Sequence, residues 1–174
     1  MSFKFKIINT KILPEVKKII HTCFKDKRGT IHTTIDNNLI NKILPKKFYF
    51  NQNKVNYRKK NVLVGIHYDH KTWKLLSCIR GKIFHVVTNI NGNNKNRFKS
   101  QVYILSDKKK ESILIPPGYG NSFYCVKDSI INYSLAFKGN YINFDKQKTI
   151  SWKDKKLNIK WPCKRPSVSH RDDL

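Results

Sequence analysis

A chain of 174 residues with 39% apolar and 12% aromatic side chains is the size of one domain and can bury a core without staples. That composition excludes a disordered chain, and no apolar run approaches the length that crosses a bilayer. The formal charge of +25 points to a polyanionic partner or to compositional drift, and the thin spread of the lysines among abundant Asn and Ile favours drift.

Phe3 to Leu13 alternates enough for a first strand, and the lysines that interrupt this opening leave no leader peptide to expect. Pro14-Glu15-Val16 leads into KKIIHTCF, whose periodicity suits a second strand or a short helix equally. Asp26-Lys27-Arg28-Gly29 is a polar turn, followed by the β-prone Thr30-Ile31-His32-Thr33-Thr34. Asp36-Asn37-Asn38 can cap a short helix over LINKIL, closed by Pro45. Strands are expected over Phe48 to Val55 and Val62 to Tyr68. Two further runs, LLSCI and KIFHVV, meet at Arg80-Gly81, a tight turn in which glycine tolerates positive φ. Asn91-Gly92-Asn93-Asn94 reads as a loop, and Gln101 to Leu105 and Ser112 to Ile115 as strands, the second stopped by Pro116-Pro117-Gly118. Ser122 to Val126 and Ile130 to Phe137 complete the series, and Lys155 to Leu174 reads as ordered coil. Short strands at regular spacing make residues 1–174 a single all-β domain, a barrel or jelly roll with a few short helices.

The stretch from Val62 to Val87 carries the densest chemistry. Gly65-Ile66-His67-Tyr68 sets an imidazole beside a glycine that permits close approach, and strand alternation turns His67 and Lys74 toward a pocket inside the barrel. An ordinary satisfied histidine is the competing reading. No metal is expected. His67 and His70 are three apart and so off a common strand face, no glutamate follows before Gly81, and Asn121 stands where a metal-binding jelly roll brings its last histidine. Nucleic acid is not an expected partner either, because no helix-turn-helix, aromatic RNA-binding motif or zinc-finger spacing accompanies the charge. Cys23, Cys78, Cys125 and Cys163 are scattered without a C-x-x-C pair, which suits free thiols in a reducing cytoplasm.

Six segments, in order, resemble those of one family. Asp26-x-Arg28-Gly29 is similar to its early D-x-R-G, and Val62 to Tyr68 to its V-L-R-G-L-H-F. Lys74-Leu75 through Gly81 and Phe84 resembles K-L-V-x-C-x-x-G-x-V-F, and Ile115-Pro116-Pro117-Gly118 resembles the start of I-P-P-G-F-A-H-G-F. Ile159-Lys160-Trp161-Pro162 is similar to I-x-W-P, and Ser169-His170-Arg171-Asp172 to L-S-x-[KR]-D. The family is that of the metal-free cupin epimerases typified by dTDP-4-dehydrorhamnose 3,5-epimerase. The resemblance covers nearly the whole chain. It implies a cupin jelly-roll β-barrel that uses no cofactor and inverts carbons beside the ketone of a nucleotide-linked 4-keto sugar. It also implies a homodimer whose N-terminal strand is exchanged between subunits.

Inverting such a carbon sets chemical demands that can be stated independently. A proton α to a ketone is weakly acidic, and its loss leaves charge on the enolate oxygen. The site needs a base, a cation at that oxygen, and an acid on the opposite face. By the resemblance, His67 is the base, Asp172 orients it as a dyad, Lys74 stabilises the enolate, and Tyr133 returns the proton. Arg28 and Gln52 keep residues of the family's nucleotide-binding shell, Lys54 is a candidate substitute contact, and Arg58 is another. His85 and Asn121 replace the family's Asp and His around the substrate. Val64 replaces the arginine that contacts the nucleotide's phosphates, and Thr33 a glutamate on the segment that reaches the partner subunit. Retained chemistry with an altered binding shell suggests a different nucleotide sugar, and the GDP-linked 4-keto heptose branch of bacterial capsule synthesis fits. An inactive sugar-nucleotide binder is the alternative, with a basic nucleic-acid-binding protein behind it.

Overall fold

Strand-length apolar runs separated by turns set the architecture. The structure is a computed structural model that describes residues 5–46, 48–91 and 95–174. Phe3, Lys4 and the Gly92-Asn93-Asn94 part of the expected loop lie outside the described residues. The strands are β1 (Phe5–Asn9), β2 (Lys17–His21), β3 (Cys23–Asp26), β4 (Gly29–His32), β5 (Phe50–Arg58), β6 (Leu63–Tyr68) and β7 (Trp73–Arg80). They continue with β8 (Lys82–Asn89), β9 (Ser100–Ser106), β10 (Glu111–Ile115), β11 (Tyr119–Cys125), β12 (Ser129–Ala136) and β13 (Lys148–Ile150).

Two antiparallel sheets face each other, one in the order β1-β2-β10-β7-β12-β5 and the other β13-β6-β11-β8-β9. This is the all-β jelly roll the strand spacing implies. β3 and β4 form a separate hairpin that pairs with neither large sheet. Leu76, Ile83, Val87, Ile113, Phe123 and Ile131 fill the space between the sheets. Leu75, Leu114 and Ala136 pack with Ile19, Ile40 and Leu44 in a second cluster. β7 and β10 therefore bury both faces at their centres, which is why LLSCI and SILI run continuously apolar instead of alternating.

Several expectations shift by a few residues. KKIIHTCF resolves as strand, split between β2 and β3. Asp36 does cap a helix, accepting hydrogen bonds from the Asn38 and Leu39 amides, but α1 (Asn37–Ile40) is a single turn and stops short of LINKIL. β11 begins directly after Gly118, three residues before the expected start. β13 was not anticipated, since three residues at a sheet edge bury too little to leave a sequence pattern. The chain turns at Gly81 as expected, with φ +87°, but the turn carries it from β7 in one sheet to β8 in the other instead of closing a hairpin, and a Cβ there would strike the Asp128 carbonyl. Among the described residues, no helix is long and apolar enough to cross a membrane.

Candidate active site

The two sheets enclose a cavity of about 670 Å³, within the usual range of small-molecule sites. Its walls come from opposite sheets. β6 and β11 bring His67 and Asn121 side by side in register on the five-stranded sheet. On the six-stranded sheet, β12 sets Tyr133 opposite Lys54 of β5 and Leu135 opposite Lys74 of β7. His67, Asn121, Tyr133, Lys54 and Lys74 all line the cavity, and Ser169 and Asp172 of the C-terminal segment close it beside His67.

His67 Nε2 lies 2.6 Å from Asp172 Oδ1. Since a carboxylate oxygen only accepts, Nε2 carries the proton, and the lone pair is left on Nδ1. Asp172 is buried in the 3-10 turn His170–Asp172, and its Oδ2 accepts from Ser169 Oγ at 2.9 Å. Burial would raise the Asp172 carboxyl, but hydrogen bonds from His67, the Gly65 amide and Ser169 hold it below its ordinary value. Gly65 has a second role here. A Cβ at that position would occupy the place of the Asp172 carboxylate, so the strand approaches the dyad only as glycine.

The C-terminal segment is tied down along its length. Leu63 N–H donates to the Ser167 carbonyl and Ser167 N–H to the Asn61 carbonyl, which bonds the segment to the start of β6. Arg171 Nε donates to Thr149 Oγ1 of β13, and Ser151 Oγ donates to the Leu174 carbonyl. These contacts hold Asp172 two residues from Leu174 in a fixed place, against the usual tendency of termini to fray.

Lys74 is only 6% exposed, and its Nζ lies 3.2 Å from Asp69 Oδ2. Burial pulls the ammonium's pKa down, while Asp69 works in the opposite direction. Burial pushes the Asp69 carboxyl up, but Lys74 and the Lys71 and Thr72 amides outweigh it and hold it below its ordinary value. Asp69 was missed in the sequence, although a buried lysine on β7 calls for a carboxylate within reach and Asp-His-Lys-Thr is a turn that can present one. On the neighbouring strand β12, burial raises the Tyr133 phenol well above its ordinary range, and Asn121 and Arg58 oppose the rise.

β5 reads inside out. Its alternate residues Lys54, Asn56 and Arg58 line the cavity, whereas Val55 and Tyr57 between them are 50% and 72% exposed. Polar side chains thus face the cavity and apolar ones the outside. Lys54 Nζ also lies 4.0 Å from the centre of the Tyr141 ring, a cation–π contact at the cavity wall.

The remaining binding candidates fall elsewhere. Arg28 stands at the exposed tip of the β3–β4 hairpin, bonded to Asp26, outside the lining of this cavity. Gln52 continues the inward row of β5 beyond Lys54 but does not reach the lining, and its buried Oε1 has no partner among the described residues. His85 is fully buried behind Asn121 rather than in the cavity, with Nε2 2.8 Å from Asn121 Oδ1. Val64 lines the cavity, and Arg58 is the guanidinium on the facing sheet. His70 packs edge-on against Tyr68. Among the described residues, no group of three or more His, Cys, Asp or Glu side chains is arranged to hold a metal ion.

Residues 10–174 match the family model of dTDP-4-dehydrorhamnose 3,5-epimerase. The chain is 28% identical over 170 residues to the dTDP-4-dehydrorhamnose 3,5-epimerase of Shigella flexneri, covering 95% of this chain and 92% of that one. It is 26% identical over 171 residues to the enzyme of the same name from Salmonella typhimurium, covering 95% and 91%. Among solved structures, it is similar to the dTDP-6-deoxy-D-glucose-3,5-epimerase of Legionella pneumophila in complex with dTDP-4-keto-L-rhamnose. The TM-score is 0.86 at 26% identity, over 97% of this chain and 90% of that one.

Gly65→Ala is expected to drive the Asp172 carboxylate off His67 while leaving β6 in place. The loss of the Nε2–H···Oδ1 bond will appear as a changed imidazole nitrogen spectrum by NMR. Asp69→Asn leaves Lys74 buried without its counter-charge and should cost about 3–5 kcal/mol in urea unfolding at neutral pH. Because the native Asp69 pKa is depressed, its stabilisation is complete above the unfolded value and is lost as pH falls through the native one. The gap between wild type and Asp69→Asn should therefore hold at neutral pH and narrow as pH falls below about 4.

Proposed function

From the membership of this chain in the dTDP-4-dehydrorhamnose 3,5-epimerase family, we propose that it inverts C3 and C5 of a dTDP-linked 4-keto-6-deoxy sugar, a step of deoxysugar biosynthesis. The observation that carries the reading is the placement of His67 and Tyr133 on facing sheets across one cavity. A base on one wall and an acid on the other produce inversion, whereas a single group would return the proton to the face it left.

The sugar binds with its C4 ketone toward Lys74. His67 Nδ1 takes the α-proton, and the C–H electron pair moves into the ring to form the enolate, whose oxygen the Lys74 ammonium stabilises. Asp172 keeps Nε2 protonated and so fixes Nδ1 as the accepting nitrogen. Tyr133 then delivers its proton to the opposite face of the carbon, the electron pair returns to the new C–H bond, and the ketone re-forms. The resulting phenolate and the protonated His67 exchange protons with water before the next turnover. Lys54 and Arg58 on the inward row of β5 supply the positive charge that a nucleoside diphosphate needs. The names of the matched relatives carry dTDP-linked sugars, so we take dTDP as the nucleotide and leave the GDP-linked heptose as an outcome of the test.

A homodimer with an exchanged N-terminal segment belongs to the same proposal. Ile31 on the β3–β4 hairpin is 61% exposed, and with Val55 and Tyr57 it offers apolar surface for a second copy. Such an arrangement gives Arg28 a partner subunit's cavity to reach. Light scattering should return twice the mass of the 20.6 kDa chain, and a monomer in solution would remove this part.

The activity is tested by proton NMR in D2O with a dTDP-linked 4-keto-6-deoxyhexose. Deuterium should enter C3 and C5 with inversion, and His67→Ala should slow it by about 10²–10⁴-fold. Preferential turnover of a GDP-linked 4-keto heptose would move the enzyme to the capsule branch. Binding without exchange would establish the inactive binder instead.

A further inference from the structure

His85 and Asn121 form a polar pair buried in the β8–β11 region of the five-stranded sheet, where apolar side chains would pack at no polar cost. His85 has no exposed surface and makes one side-chain hydrogen bond among those described, Nε2 to Asn121 Oδ1 at 2.8 Å. Its Nδ1 is buried without a partner among the described residues. A histidine so enclosed, with one nitrogen unsatisfied, is a costly way to fill space. Its ring lies beside that of Tyr103, 5.8 Å away between centroids.

Donor and acceptor roles fix what the pair can do. Asn121 Oδ1 only accepts, so His85 Nε2 carries a proton and donates it, and the neutral ring is the Nε2–H tautomer. Burial lowers its pKa to about 4, against a small opposing effect of the Asn121 bond. With Oδ1 held from behind, the Asn121 amide cannot flip, and its Nδ2–H₂ group is the end presented to the cavity. Asn121 and Tyr133 line the cavity from facing sheets, and the Asn121 amide pulls the Tyr133 phenol's pKa down against the effect of burial.

We infer that His85, acting through Asn121, is a positioning residue that makes the Tyr133 oxygen an acceptor from Asn121, so that the Tyr133 O–H points at the substrate carbon. The inference rests on the epimerase reading above. When the Tyr133 O–H bond breaks, its proton joins the enolate's electron pair in the new C–H bond, and the phenolate left behind keeps the Asn121 N–H donor. Water re-protonates the phenolate. The pair therefore acts on the second proton transfer, not on the abstraction by His67.

Removing the donor at residue 85 should lower inversion more than it lowers exchange. The test is proton NMR in D2O with a dTDP-linked 4-keto-6-deoxyhexose, following both inverted product and deuterium in recovered, uninverted sugar. In His85→Leu, the ratio of inversion to exchange should fall about tenfold or more, and His85→Gln, which keeps an N–H donor, should restore most of it. Asn121→Asp should lose the ratio too, because a carboxylate draws the Tyr133 proton away from the substrate. The Asp variant introduces no cavity, so it serves if His85→Leu does not fold. Equal loss of inversion and exchange in a folded His85→Leu protein would overturn the inference, as would a wild-type ratio in Asn121→Asp. If the unaltered protein shows neither exchange nor inversion, the epimerase reading fails and the inference falls with it.

Discussion

The hydrogen bond from His67 Nε2 to Asp172 Oδ1 joins residues 105 positions apart, and much of the architecture serves to make it. β6 carries the imidazole on the inner face of one sheet, and the last eight residues are laced to β6 and β13 so that Asp172 arrives beside it. Gly65 leaves the space the carboxylate fills. A buried carboxylate is stable there only because every side of it is met by a donor: His67, Ser169 and the Gly65 amide. The bond sets the imidazole's tautomer, and with it which nitrogen is left to face the cavity. Residues 167–174 thus hold the carboxylate end of the His67–Asp172 pair.

The cavity depends next on having two walls of different character. The five-stranded sheet contributes His67 and Asn121, and the six-stranded sheet Lys74 and Tyr133. Their separation follows from the jelly roll itself, since the chain crosses from one sheet to the other at each step from β5 to β8 and from β9 to β13. Lys74 sits deep enough to need Asp69, and a desolvated ammonium acts more strongly on a neighbouring anionic oxygen than a hydrated one. Positive charge from Lys54 and Arg58 along β5 gives this polar region an anion-attracting edge. That is one local use for part of a chain charge of +25.

How much of this the sequence revealed varies by residue. The glycine beside His67, the turn at Gly81 and the strand series were readable from turn chemistry and β-branched runs, and His67 and Lys74 were expected to face inward. Tyr133 and Asp172 became candidates only through the family resemblance, because a tyrosine in an apolar strand and an aspartate near a terminus are commonplace. His85 was expected at the substrate only through the family resemblance, which aligns positions but carries no depth, and the structure seals it behind Asn121. β5 defeated the usual rule that apolar residues point in, since its inner face borders a wet cavity. Asp69 escaped because its partnership with Lys74 depends on tertiary depth, and the position of Arg28 because the β3–β4 hairpin stands apart from both sheets.

The central claim is that Asp172 fixes His67 with its proton on Nε2 and its lone pair on Nδ1. The ¹⁵N NMR spectrum of the His67 imidazole, recorded for the wild type and for Asp172→Asn, addresses it most directly. The account predicts a single Nε2–H tautomer in the wild type and a loss of that preference in the variant. An Nδ1–H tautomer in the wild type, or a spectrum unchanged by Asp172→Asn, would contradict it.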